Sequence, residues 1–189
     1  MTSRLAALAA IAALLAPIGA CDHRLEDAVQ STRRPALERP MHLLSDGCNR
    51  TTVSAGLLTI ALLGGTAGVE VARVAVVALI PTNLAVEGLK RLTHRTRPDG
   101  DQRRSNASFP SSHVANAFAL AVVLGRRWRR ALPWLLLAGL AIAWARLYLN
   151  RHYPSDVVCG GLLGAAIAWA SAGACERWRT RAARARSGN

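Results

Sequence analysis

The chain has 189 residues, 51% of them hydrophobic, and its 24 basic residues against 11 acidic ones leave a formal charge of +13. That length holds one unit of ordinary size and excludes two substantial domains. The hydrophobic fraction excludes a disordered polybasic tail, and long uninterrupted apolar runs exclude a soluble nucleic-acid binder, whose apolar residues recur at periods of two or 3.6.

The first run, Leu5 to Ala20 behind Arg4, reads in two ways. It is either a first membrane span or a signal segment ending at a lipoprotein-type Cys21. Residues 22–50 alternate charge with apolar positions (Leu25, Val29, Leu37, Met41, Leu44), which suits an outer interfacial helix kinked near Pro35 or Pro40. Thr51 to Val69, Val74 to Val86, Val114 to Gly125, Ala131 to Ala145 and Val157 to Cys175 follow as charge-free stretches. At about 1.5 Å per residue, roughly 20 residues cross a hydrocarbon core, so the longer runs span alone and the shorter ones span with their polar ends. The expected fold is therefore all-α: an integral membrane bundle of about six transmembrane helices, five if the N-terminal segment is removed. A soluble helical core is the alternative. Residues 51–176 would form the membrane core and 177–189 a basic cytoplasmic tail.

With the N-terminus inside, Arg126, Arg127, Arg129 and Arg130 share one side with the arginine-rich tail. Inner loops favour arginine and lysine, so that side is cytoplasmic. Trp128, Trp134 and Trp178 sit near the same ends, as interface anchors do. The loop over 87–112 then faces outward, although it carries Lys90, Arg91, Arg95, Arg97, Arg103 and Arg104. A positive cluster on the outer side is explained by anion binding. Lys90 is also the single lysine in a chain with 23 arginines. The four cysteines have no zinc-ligand spacing, and no acidic cluster suggests a magnesium site. Cys21 and Cys48 both fall on the outer side, where they can pair.

Three charged clusters lie at outer ends of spans. Lys90 is followed after six residues by Arg97-Pro98; alone this is an ordinary basic flank. Phe109-Pro110-Ser111-Ser112-His113 opens a span, and its plain reading is a helix start with a stray histidine. Arg146, His152 and Asp156 end one span and begin the next, where an acid near a helix start reads as a cap. Together they supply a set for phosphoryl transfer. Lys90, Arg97 and Arg146 can neutralise phosphate oxygens, and helix-start N–H groups at Ser111 to His113 add donors. Two histidines allow a nucleophile and a proton carrier, and a carboxylate four residues from His152 can orient its ring.

These blocks resemble the signature of the type 2 phosphatidic acid phosphatase superfamily: lysine, six residues, Arg-Pro; then Pro-Ser-Gly-His; then Ser-Arg, five residues, His, three residues, Asp. Here they read Lys90 to Pro98, Pro110-Ser111-Ser112-His113, and Ala145-Arg146 through His152 to Asp156. The resemblance covers residues 90–156 and implies the six-helix membrane branch. It implies His152 as the nucleophile forming a phosphohistidine, Asp156 as its orienting group, and His113 as acid and then base. Lys90, Arg97, Ser111, Ser112 and Arg146 would bind the phosphate. Ser112 stands for the glycine, keeping its N–H, and Ala145 stands for the serine, which removes one hydrogen bond. His94 and Arg95 have no role in that pattern and read as electrostatic lining.

The expected function is a metal-independent membrane phosphatase acting on a lipid phosphate or diphosphate at the outer face of a bacterial inner membrane. No cofactor and no nucleic-acid partner is expected. A lipid phosphotransferase using the same intermediate, or a non-catalytic anionic-lipid binder, are the alternatives; folds related by the same resemblance also bind vanadate and oxidise halides, but those relatives are soluble. The particular lipid and the oligomeric state stay open.

Overall fold

The computed structural model describes residues 18–100 and 107–187. Most of the N-terminal apolar run, and Arg103 and Arg104, lie outside the described residues. The described residues form helices without strands: α1 (18–31), α2 (Pro35–Asp46), α3 (Arg50–Leu63), α4 (Gly65–Thr93), α5 (Ser112–Arg127), α6 (Leu132–Tyr148) and α7 (Pro154–Ser187).

Helices α3 to α7 run back and forth between two ends. One end gathers the close of α4, the start of α5, the close of α6 and the start of α7. The opposite end is held by ion pairs, Arg179 to Glu70 at 2.9 Å and Arg126 to Glu176 at 2.6 Å. Three segments are long and apolar enough to cross a membrane: Gly65–Thr93, Arg129–Tyr148 and Pro154–Arg186. Leu62, Leu84, Trp134, Leu162 and Trp169 are exposed, as side chains facing lipid must be.

The turn between α3 and α4 differs from the charge pattern. Glu70 and Arg73 suggest an interruption after Val69, but the chain breaks at Gly64–Gly65. A Cβ on Gly64 would lie 2.6 Å from the Ile60 carbonyl, and Gly65 has φ +57°, so glycine alone fits this tight reversal. Glu70 and Arg73 instead pair with each other inside α4 at 2.9 Å. Charge marked the end of the bundle; the glycines marked the turn.

Helix α5 is short, at 16 residues, yet it is the most enclosed element, with Val114, Ala115, Ala117, Ala119, Ala121 and Val123 buried among α4, α6 and α7. Small side chains let the backbones approach. A Cβ on Gly164 of α7 would stand 2.0 Å from the Ala115 carbonyl of α5, and one on Gly160 would stand 2.6 Å from that of Ser111. This contact presses the first turn of α5 against the first turn of α7.

The segment 22–50 closes over the site end. The chain breaks at residues 32–34, and Pro35 enters α2 where its missing N–H costs nothing. Gln30 donates to the Leu147 carbonyl at 3.0 Å, and the Arg34 N–H reaches the Tyr148 hydroxyl at 2.5 Å. All four cysteines are free thiols, with Cys21 exposed and Cys48 buried, and burial pushes the Cys48 thiol up to about 11.

Candidate active site

The last turn of α4 carries Lys90, and Arg97 follows in the loop; both are buried, at 8% and 6% exposure. His94 ends α4 in a left-handed conformation (φ 46°) with its N–H on the Lys90 carbonyl, so it is a helix cap and is exposed. Arg97 donates to the Arg151 carbonyl at 3.1 Å, and Arg151 in turn binds Asp99 at 2.7 Å. These contacts fasten the loop after α4 to the loop before α7.

Ser111 is the N-cap residue of α5 and is fully buried; Ser112 and His113 are half-buried in the first turn. The Ser111 N–H donates to the Asp156 carbonyl at 3.0 Å. Its hydroxyl has no hydrogen-bond partner among the described residues. Buried polar groups are normally paired, so this hydroxyl has a hydrogen bond to give to a bound oxygen.

Arg146, in the last turn of α6, donates to the Ser45 hydroxyl of α2 at 2.6 Å, and its Nη2 stands 3.4 Å from His152 Nε2. Its Nε is buried and without a partner among the described residues. His152 is 2% exposed, in the loop before α7. Burial, reinforced by the nearby charges of Arg146 and Arg97 against the pull of Asp156, lowers its pKa to about 3, so the ring is neutral at ordinary pH.

Beside the expected Asp156, the ring has a second and closer neighbour. His152 Nδ1 lies 2.8 Å from the Ser108 carbonyl and 3.7 Å from Asp156 Oδ2. The closer acceptor is a backbone oxygen, which requires the proton on Nδ1 and leaves the Nε2 lone pair facing Arg146. Asp156 acts one step back. Its Oδ2 accepts from the Ser108 hydroxyl and from the Tyr153 N–H at 2.8 Å, and its Oδ1 accepts from Arg95 at 2.7 Å. The carboxylate thus fixes both segments that flank the imidazole.

Asp22, Ser108 and Ser45 are the residues that sequence reasoning missed as part of the site, and Arg95, read as electrostatic lining, has a larger part in it. Arg95 lay inside the first block without an assigned partner. Asp22, only 3% exposed, binds Arg95 at 2.7 Å and accepts from the Ser155 N–H at 2.9 Å. Nothing in its sequence context separated it from the other charges of an interfacial segment.

All eight sequence-assigned residues lie at one end of the bundle. The charges of Arg146, Lys90 and Arg97 all bear on His113, and those of Arg97 and Arg146 on Lys90. Lys90, Ser112 and His113 also line a groove of about 930 Å³ between α3, α4 and α5, whose deeper wall is apolar, including Val53, Leu57 and Ile80. A phosphate at its polar end would meet fixed cations and helix-start donors, with the hydrocarbon running along the apolar wall. Among the described residues no three His, Cys, Asp or Glu side chains form a metal-ligand group.

The model of the PAP2 superfamily matches residues 71–179. Decaprenylphosphoryl-5-phosphoribose phosphatase of Mycobacterium tuberculosis is 39% identical over 85 residues, which cover 42% of this chain and 47% of that protein. Lipid A 1-phosphatase of Porphyromonas gingivalis is 39% identical over 74 residues, covering 37% of this chain and 16% of that one. The chain therefore spans less than half the length of these curated relatives. The crystal structure of Aquifex aeolicus LpxE superposes with a TM-score of 0.71 at 22% identity, covering 81% of this chain and 95% of that one. That of the transmembrane PAP2-type phosphatidylglycerolphosphate phosphatase from Bacillus subtilis gives 0.74 at 20% identity, covering 93% and 96%. The fold is that of an all-α integral membrane bundle.

Proposed function

The chain belongs to the PAP2 superfamily, and from that premise we propose that it is a membrane phosphatase removing phosphate from a lipid phosphate or diphosphate through a phosphohistidine on His152. The observation that carries the reading is the hydrogen bonding of His152: Nδ1–H on the Ser108 carbonyl, which leaves Nε2 unprotonated and facing Arg146 at 3.4 Å. Binding an anion needs cations alone; a neutral imidazole held with its lone pair among them is a nucleophile. That favours an enzyme over a passive anionic-lipid binder.

In the first step Nε2 attacks phosphorus and the bond to the lipid oxygen breaks. Protonated His113 gives its proton to the departing oxygen. Lys90, Arg97 and Arg146, with the Ser111 hydroxyl and the N–H groups of the first turn of α5, neutralise the phosphoryl oxygens as charge builds on them. The N–H of Ser112, where the family pattern has glycine, keeps its place among these donors. In the second step His113 takes a proton from water, whose oxygen attacks phosphorus and releases His152. An acceptor hydroxyl in place of that water gives a transferase by the same route.

The site end faces outward in this proposal. Arg126, Arg127 and the tail arginines cluster at the opposite end, which the bias of inner loops assigns to the cytoplasm. The test is phosphate release from a panel of lipid phosphates by wild type and His152→Ala, with vanadate and with chelator. Release by wild type alone, stopped by vanadate and indifferent to chelator, is the expected result. Equal release by both proteins ends the proposal, and rescue of a chelated enzyme by magnesium contradicts the role given to the three cations.

A further inference from the structure

Two asparagines meet in the wall of the groove below the phosphate end. Asn116 lies one helical turn after His113 on α5, and Asn83 lies two turns before Lys90 on α4. Both line the groove with His113 and Lys90. At 1.5 Å rise per residue the two amides sit about 5–10 Å deeper than the phosphate-binding side chains.

Their surroundings are hydrocarbon, where a polar amide is costly unless its hydrogen bonds are made. Asn83 Nδ2 donates to the Leu79 carbonyl at 2.8 Å and to Asn116 Oδ1 at 3.0 Å, which uses both of its N–H bonds. Asn116 Nδ2 reaches Asn83 Oδ1 only at 3.5 Å, the outer edge of a hydrogen bond. An amide has two N–H donors and two acceptor sites. The pair therefore keeps a donor on Asn116 and acceptor capacity on Asn83, on the wall of the groove.

We propose that Asn83 and Asn116 form a subsite for an oxygen on the linker that joins the scissile phosphate to the hydrocarbon. A carbonyl accepts from the Asn116 N–H; a hydroxyl accepts there and donates to Asn83. The preferred substrate is accordingly a lipid phosphate with an oxygen-bearing linker. A polyprenyl phosphate, whose hydrocarbon starts beside the phosphate ester oxygen, leaves both amides facing apolar chain. The proposal rests on the groove being the lipid-phosphate site and names the substrate class for it.

The experiment compares kcat/KM of the purified full-length protein in detergent for three probes. These are dioleoyl phosphatidic acid with its ester carbonyls, an alkyl lysophosphatidic acid with a hydroxyl and no carbonyl, and farnesyl phosphate with neither. Wild type is expected to favour the oxygenated probes. Asn116→Leu, and the double variant Asn83→Leu with Asn116→Leu, should lower the ratio of oxygenated to farnesyl kcat/KM by about tenfold or more. The probe with the larger loss identifies carbonyl or hydroxyl as the recognised oxygen. Because a ratio does not depend on the folded fraction, partial misfolding does not imitate this result, and Asn116→Ser provides a milder variant if the leucine forms are inactive. A wild type that favours farnesyl phosphate, or variants that leave the ratio unchanged, overturns the subsite while the phosphatase reading stands. Phosphate release from none of the three overturns the phosphatase reading itself.

Discussion

Asp22 and Arg95, 73 residues apart in the chain, form a 2.7 Å ion pair, and the other terminal nitrogen of Arg95 holds Asp156 at 2.7 Å. The first described helix is thereby tied to the carboxylate that braces the loop of His152. Both Asp22 and Asp156 are buried, so Arg95 compensates two charges that would otherwise be costly.

The hydrogen bonds of Arg95 go to Ser155, Asp156 and Asp22 and not to His152, which makes it a positioning residue. Arg95→Ala should lower kcat about tenfold to a hundredfold, the scale of a small misplacement of reacting atoms, and leave KM within about twofold. Arg95→Lys should recover part of the loss. Steady-state kinetics read the split; a change confined to KM would place Arg95 on the substrate instead.

His152 has a folded pKa of about 3 against an ordinary 6.5. Between those values the unfolded chain takes up a proton that the folded chain refuses. Stability from this group is complete above about pH 6.5 and declines as the pH falls toward 3. Thermal melting in detergent at pH 7.5 and at pH 5 should show a drop for wild type that is smaller for His152→Gln. The same depressed pKa keeps Nε2 unprotonated through mild acid, so an acid limb of kcat/KM near neutrality would belong to a different group.

Lys90 and Arg91 both border the groove but differ in burial. Lys90 is buried among the site cations, whereas the Arg91 side chain is 76% exposed and pairs with Glu87 at 3.2 Å. Lys90→Ala should cut kcat/KM about a hundredfold, as loss of a charge-stabilising donor does. Arg91→Ala should change it by less than about threefold, in keeping with an exposed ion pair. Phosphate-release rates on one substrate decide; similar losses would dissolve the distinction.

Gly164 and Gly88 make a matching pair for stability. A side chain at Gly164 runs into the Ala115 backbone, which cannot step aside, while a Cβ at Gly88 meets nothing within 4 Å. Gly164→Val should destabilise by more than the roughly 1–3 kcal/mol of ordinary overpacking. Gly88→Ala should stabilise by about 0.5–1 kcal/mol through helix propensity. Melting temperatures of the two variants test the α5–α7 contact directly.

The residues that carry the proposed chemistry were legible because the spacing of Lys90 to Arg97, Ser111 to His113 and Arg146 to Asp156 places rare charged groups at the ends of apolar segments. The α3–α4 turn was misjudged, since Glu70 and Arg73 interrupt hydropathy without interrupting the helix. Asp22, Ser45 and Ser108 gave no signal. Single polar residues in polar segments look alike until a distant partner buries them.

By itself the sequence determined the helical membrane class, the family and the identity of the chemical groups, because composition, apolar run length and local spacing are properties of a chain read in order. Tertiary structure alone decided that a backbone carbonyl, not Asp156, is the closest partner of His152 Nδ1. It also decided that Arg95 serves that aspartate and that two asparagines share a wall of the groove. Those are contacts between residues 33 to 73 positions apart or separated by angstroms that spacing does not specify. They exist only once the helices have packed, α4 against α5 at the asparagines and α5 against α7 at Gly160 and Gly164.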